Sequence, residues 1–116
     1  MKISKHFTRA EVACQCGCGF DSMDAETLMI ADEARDFEGS PITPSSGCRC
    51  YHHNKAVGGA DKSQHPMARA MDLPSKDPVA LYNFLCAKYP GKYGFGLYSS
   101  FVHIDSRSNG PARWGK

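Results

Sequence analysis

The strongest hydrophobic pattern in the chain lies between Asp24 and Phe37. Its apolar positions recur every three or four residues, at Leu28, Ala31, Ala34 and Phe37. This spacing predicts an amphipathic helix, and Gly39 and Pro41 are residues that end helices. We expect the apolar stripe of this helix to pack in the core.

Capping residues predict the other helices. T-R-A-E at 8–11 is a capping-box pattern that opens a short helix before the first cysteines. Asp77-Pro78 places proline in the first turn of a helix that extends to about Lys88. The prolines within 41–46 favour an extended segment, and Cys50–Val57 can form a short helix that Gly58-Gly59 ends.

Alternation of apolar and polar residues predicts short strands. Met71 and Leu73 lie on one face of the segment Ala70–Leu73, with Asp72 on the other. Phe101–Asp105 alternates in the same way, and a segment with two glycines precedes it at 93–98. Helices with short strands at the end of the chain predict an α+β fold, a small mainly antiparallel sheet with flanking helices, in a single domain over 1–116.

Composition excludes several classes of protein. The 116 residues carry a formal net charge of +2, too small to indicate binding of nucleic acid or of a membrane surface. No apolar run is long enough for a membrane helix, and the N-terminus lacks the features of a secretory signal. We expect a monomer that is synthesised in a cytoplasm without a signal peptide.

The six cysteines leave several interpretations open. They stand as Cys14-x-Cys16-x-Cys18, Cys48-x-Cys50 and a separate Cys86. An even number suggests disulfides, but the secretory context is missing, and C-x-C spacing is tight for a zinc site. Reduced thiols packed at a glycine-rich turn are favoured over disulfides and over an accessory metal.

Three residues form a candidate metal site. Asp72 and His103 lie on the polar faces of two predicted strands, and pairing of these strands would bring them within a few ångströms. His65 lies on the loop that enters the first strand. Two imidazoles and one carboxylate with an open fourth position are a typical catalytic zinc set. The alternative is a surface His–Asp pair and an unrelated strand histidine.

Four ordered motifs add a family resemblance to this interpretation. They are S-S-G-C-R, Y-H-H-N-K-A-V-G-G-A, S-Q-H-P-M-A-R-A-M-D and S-F-V-H-I-D. Together they resemble the zinc D-Ala-D-Ala carboxypeptidase and L-alanyl-D-glutamate peptidase family, which shares its fold with the hedgehog signalling domain. The family motif S-x-H-x-x-G-x-A-x-D is matched at Ser63, His65, Ala70 and Asp72, with Ala68 in place of glycine. The resemblance extends from F-T-R-A-E-V to Trp114.

The resemblance implies a role for each matched residue. His65, Asp72 and His103 would bind one Zn2+ per chain. Arg49 would bind substrate near the scissile carbonyl and steady the oxyanion, for which a guanidinium is well suited. Ser63 and His53 would contact substrate or orient a metal ligand, although His53 is equally consistent with a structural histidine.

The general base is the weakest match to the family. Many members carry Glu or Asp three residues before the last ligand, where this sequence has Ser100. Asp105, on the same strand face as His103, is then the candidate base. The alternatives are that Asp105 pairs with Arg107 or supports His103.

These assignments predict metal-assisted hydrolysis of a peptide bond in peptidoglycan stem peptides or crosslinks. A phage or prophage endolysin that reaches the cell wall after release, or a virion-associated enzyme, is the expected setting. One alternative is a non-catalytic zinc-stabilised binding module of the same fold. Another is a redox or accessory-metal protein built on the cysteines. The motifs do not distinguish the bond that is cut.

Overall fold

The computed structural model of the protein describes residues 2–14, 23–47 and 69–115. Three helices and four strands lie within these ranges. In chain order they are α1 (Arg9–Val12), α2 (Ala25–Glu38), β1 (Ala70–Pro74), α3 (Pro78–Lys88), β2 (Gly94–Leu97), β3 (Phe101–Asp105) and β4 (Ala112–Gly115). None of these helices has the length and apolar character needed to cross a membrane.

The helices begin where the capping residues predict. Thr8 accepts from the backbone N–H of Glu11, and the Glu11 carboxylate accepts from the backbone N–H of Thr8, which completes the capping box of α1. Asp24 caps α2 and Asp77 caps α3. The C-cap of α2 is Gly39, whose φ of 75° is a left-handed conformation that favours glycine.

The four strands form one mixed sheet in the order β1-β3-β2-β4. β3 pairs antiparallel with both β1 and β2, whereas β4 pairs parallel with β2. The predicted α+β class and the flanking helices are confirmed. The sheet is mixed rather than purely antiparallel because the chain after β3 crosses β2 and returns in the direction of β2.

The two faces of the sheet differ in chemistry. One face packs against α2 and α3 and is apolar. Its buried side chains are Met71, Leu73, Phe95, Leu97, Val102 and Ile104. The strand alternation read from the sequence is therefore confirmed, and the residues between these positions point to the opposite face.

One residue of the apolar stripe of α2 does not lie in the core as predicted. Leu28, Ala31 and Ala34 of α2 are buried, but Phe37 is 44% exposed. The Phe37 ring instead stacks on Phe84 of α3, with centroids 4.4 Å apart. At the last turn of α2 the apolar stripe therefore lies at the surface, between α2 and α3. The predicted helix at Cys50–Val57 lies outside the described residues.

Candidate metal and peptidase site

One row of residues crosses all four strands on the polar face of the sheet. Asp72 of β1 is paired with His103 of β3, His103 with Gly96 of β2, and Gly96 with Trp114 of β4. These positions share a face because cross-strand partners point to the same side of a sheet. The candidate site is built along this row.

Asp72 and His103 are in contact at the centre of the row. The Asp72 Oδ1 atom lies 2.9 Å from Nδ1 of His103, and the two residues are only 7% and 8% exposed. The prediction that strand pairing brings them together is confirmed. Their role as ligands stays a prediction, because proximity alone does not show a bound ion.

Asp105 contacts the other nitrogen of the same imidazole. Its Oδ2 atom lies 2.8 Å from Nε2 of His103, and the residue is fully buried. Arg107 donates from Nε to Oδ1 at 2.8 Å and from Nη2 to Oδ2 at 2.7 Å. The carboxylate of Asp105 is thus held by His103 and Arg107, which favours the supporting role over the role of general base.

The carboxylates around His103 favour the protonated form of its imidazole. Burial opposes protonation of this histidine, but the hydrogen bonds with Asp105 and Asp72 outweigh burial and raise its pKa. Burial likewise opposes ionisation of Asp105, yet Arg107 and His103 hold the pKa of its carboxyl well below the usual range. Asp105 therefore stays ionised next to Nε2 of His103.

This arrangement fits one edge of a zinc site. If Nε2–H donates to Asp105, the lone pair of Nδ1 points toward the carboxylate of Asp72. The lone pairs of Nδ1 and of the Asp72 oxygen, 2.9 Å away, repel each other unless a proton or a metal ion lies between the two atoms. Two ligands of a tetrahedral zinc ion are about 3.3 Å apart, which is close to this separation.

The described residues do not contain a complete metal site. No group of three His, Cys, Asp or Glu side chains within 2–14, 23–47 and 69–115 is arranged to hold an ion. Asp72 and Asp105 lie at opposite nitrogens of His103, so they cannot share one ion with it. The predicted third ligand, His65, lies outside the described residues.

Several predicted site residues fall outside the described residues. They are Arg49, His53, Ser63 and His65, and their roles stay predictions. The segment that leads to Arg49 is nevertheless placed. Ser45 N–H donates to the carbonyl of Asp72 at 3.0 Å, and Asp72 N–H donates to the carbonyl of Ser46 at 2.8 Å. The S-x-x-R motif therefore begins against the backbone of Asp72.

Sequence reasoning missed the side chains on the β4 side of the row. The Trp114 ring lies 5.1 Å from the His103 ring and 5.3 Å from the Arg107 guanidinium, measured to the centroid of the tryptophan. A Cβ on Gly96 would lie 2.4 Å from the indole. Glycine within a strand often marks such a close approach, so the G-F-G segment carried the signal.

Gly94 makes room for the ion pair of Asp105 and Arg107, as Gly96 does for the indole. A Cβ there would lie 2.4 Å from Oδ1 of Asp105 and 2.6 Å from Nε of Arg107. The two glycines of β2 thus leave the polar face open for the buried ion pair and for the indole. The ion pair and the indole both support His103 from the side away from Asp72.

The sheet thus brings Asp72 and His103 together, buried on its polar face. The sequence profile described as Peptidase M15 matches residues 5–105. The chain therefore belongs to the peptidase M15 family, and it is a peptidase by family. No curated protein matches the chain.

Proposed function

We propose that this protein is a zinc-dependent peptidase that hydrolyses a peptide bond in bacterial peptidoglycan. The observation that carries the proposal is the Asp72–His103 pair, buried on the polar face with Nδ1 directed at the carboxylate. Membership of the peptidase M15 family supports the reaction class. The four sequence motifs support the substrate class.

In this proposal Asp72, His103 and His65 hold the ion. When bound, Zn2+ supplies Lewis acidity toward the scissile carbonyl and toward water. Asp105 fixes the orientation and tautomer of His103, and Arg107 keeps Asp105 ionised. Mutation of such an outer partner of a ligand histidine typically lowers metal affinity or activity about 10–100-fold.

Arg49 is proposed to complete this chemistry. The backbone pairing of Ser45 and Ser46 with Asp72, at the start of the motif, supports this proposal. A guanidinium there would donate to the oxygen of the scissile carbonyl as negative charge develops on it. Ser63 and His53 are proposed to contact the substrate on the same side.

The setting of the enzyme is a further part of the proposal. A phage or prophage lysis enzyme, or a virion-associated one, is the setting predicted from the sequence, with action on the cell wall. The same fold would also suit a non-catalytic module that binds the wall. These functions differ in whether the zinc-loaded protein cuts peptidoglycan.

Metal analysis and digestion of cell wall test the proposal together. We expect about one zinc per chain in the purified protein and release of peptide fragments from purified sacculi, identified by mass spectrometry. His103→Ala and His65→Ala should lose the zinc and the activity. His6→Ala is the matched control, because the His6 side chain contacts Asp36 of α2 rather than the residues of the candidate site.

The outcomes separate the alternatives. Full zinc content in His103→Ala or in His65→Ala, with the fold intact by circular dichroism, would contradict the ligand assignment. Zinc in the wild type without any cleavage of sacculi or defined muropeptides would favour the binding module instead.

A further inference from the structure

Tyr98 belongs to the polar face of the sheet but has no role in the site described so far. It follows β2 and is paired with Phe101 across the turn to β3, since its N–H donates to the Phe101 carbonyl at 3.0 Å. The two rings are stacked, with centroids 4.4 Å apart and planes within 8°. Tyr98 is nevertheless 42% exposed.

The hydroxyl of Tyr98 is directed back toward the row of His103. Trp114 donates from Nε1 to this hydroxyl at 3.0 Å. The same nitrogen lies 2.4 Å from the position of a Cβ on Gly96, the strand partner of His103. The hydroxyl is therefore hydrogen-bonded to an indole nitrogen that lies directly above Gly96 of β2.

The hydroxyl has a proton to donate. A phenol can accept one hydrogen bond and donate another. Trp114 uses the acceptor side of Tyr98, and within the described part of the chain no acceptor takes its proton. The indole N–H thus turns an exposed hydroxyl into an oriented donor at the edge of the site.

We propose that Tyr98 is a substrate-binding residue whose hydroxyl donates to a peptide carbonyl of the substrate next to the scissile bond. This inference rests on the peptidase function proposed above. Asp72 and His103 lie on β1 and β3, whereas the hydroxyl is hydrogen-bonded to the indole above Gly96 of β2, and adjacent strands are about 4.8 Å apart. Because an extended peptide advances about 3.3 Å per residue, the carbonyl is a flanking one rather than the reacting one.

A flanking contact has a defined kinetic signature. It is present in both the bound substrate and the transition state, so its loss raises KM and leaves kcat almost unchanged. A net hydrogen bond corresponds to a KM increase of about tenfold at most. The same contact should disappear when the substrate is shortened so that it lacks the flanking carbonyl.

Tyr98→Phe tests this inference, because it keeps the stacked ring and removes only the hydroxyl. The substrate is the muropeptide that the wild type cleaves, at matched zinc content, and we expect KM to rise about fivefold to tenfold. Emission from Trp114, the only tryptophan in the sequence, gives an independent measure of peptide binding. Tyr89→Phe is the control, since that hydroxyl donates to Glu33 away from the site.

Each result decides a different point. Equal KM and kcat in Tyr98→Phe and the wild type would overturn the tyrosine contact while leaving the peptidase function intact. A fall in kcat at constant KM would overturn the flanking assignment, because the contact would then be made only in the transition state. If the wild type cleaves no muropeptide, the proposed function fails, and this inference fails with it.

Discussion

The two faces of the sheet follow different physical rules although the same strands build both. The face toward α2 and α3 is closed by apolar side chains such as Ile104, which is fully buried. The opposite face is held by directed contacts among Asp72, His103, Asp105 and Arg107. Burial of area stabilises the first face, and hydrogen-bond geometry specifies the second.

This difference means that neighbouring residues on β3 should fail in different ways. Ile104 and Asp105 are adjacent in the chain and both are fully buried, but they point to opposite faces. A change at Ile104 should act on folding, whereas a change at Asp105 should act on the site. Three predictions test and sharpen this separation.

Ile104→Ala is expected to have the largest effect on stability. Removing a buried isoleucine side chain costs about 2–5 kcal/mol of unfolding free energy, through lost burial and the cavity that remains. Zinc content per folded chain should stay near the wild-type value. Urea denaturation and elemental analysis measure the two quantities.

The control for this variant is Val79→Ala on α3, where the side chain is 54% exposed and the change should lie within about 0.5 kcal/mol. Loss of zinc from Ile104→Ala that remains folded would show that the two faces are not separable.

Asp105→Asn should have an intermediate effect that is confined to the site. It keeps the shape of the side chain but weakens its hold on His103, so zinc affinity should fall about 10–100-fold. Turnover per bound zinc should stay near wild type if Asp105 only supports the ligand. Competition with a chelator and turnover per bound zinc are the measurements.

The same variant tests the alternative assignment of Asp105 as general base. In that case zinc binding would be retained, and turnover per bound zinc would drop about 10²–10⁴-fold. Asp36→Asn serves as the control, because Asp36 is a surface carboxylate that contacts Lys5 and His6.

Tyr93→Phe should have the smallest effect on stability. It removes one polar contact on the face of the sheet that packs against the helices. Burial, together with the hydrogen bond to Glu26, raises the pKa of Tyr93 to about 12. The folded state then keeps this proton between about pH 10 and 12, where the unfolded chain loses it. The contribution to stability is complete below pH 10 and is lost as the pH rises toward 12.

Replacement by phenylalanine should lower the unfolding free energy by about 1 kcal/mol near neutral pH and reduce its fall above pH 10. Denaturation at a series of pH values measures this dependence. An unchanged slope above pH 10 in Tyr93→Phe would show that other groups, such as lysines, set the alkaline dependence.

Part of the site was predictable from residue order alone. The alternation in F-V-H-I-D and A-M-D-L placed His103 and Asp72 on polar faces, and the pairing of β1 with β3 then brought them together in register. The support of His103 by Asp105 was one of several open alternatives. Alternation gives the face of a residue but not the direction of its hydrogen bonds.

The contacts of Trp114 and Tyr98 could not be predicted in the same way. They depend on the parallel pairing of β4 with β2, which joins residues at 94–97 to residues at 112–115. Nothing local to either segment specifies that partner, because a strand presents the same unpaired groups to any edge. The glycines of β2 indicated a close approach but not the side chain that makes it.

The sequence by itself determined the local elements of this protein and the face on which each candidate ligand lies, because capping and periodicity act over a few residues. The tertiary structure decided which elements meet. It brought Asp105 to Nε2 of His103, placed Trp114 above Gly96 and paired Ser46 with Asp72. These contacts join residues far apart in the chain or depend on side-chain direction, and packing of the whole sheet selects them.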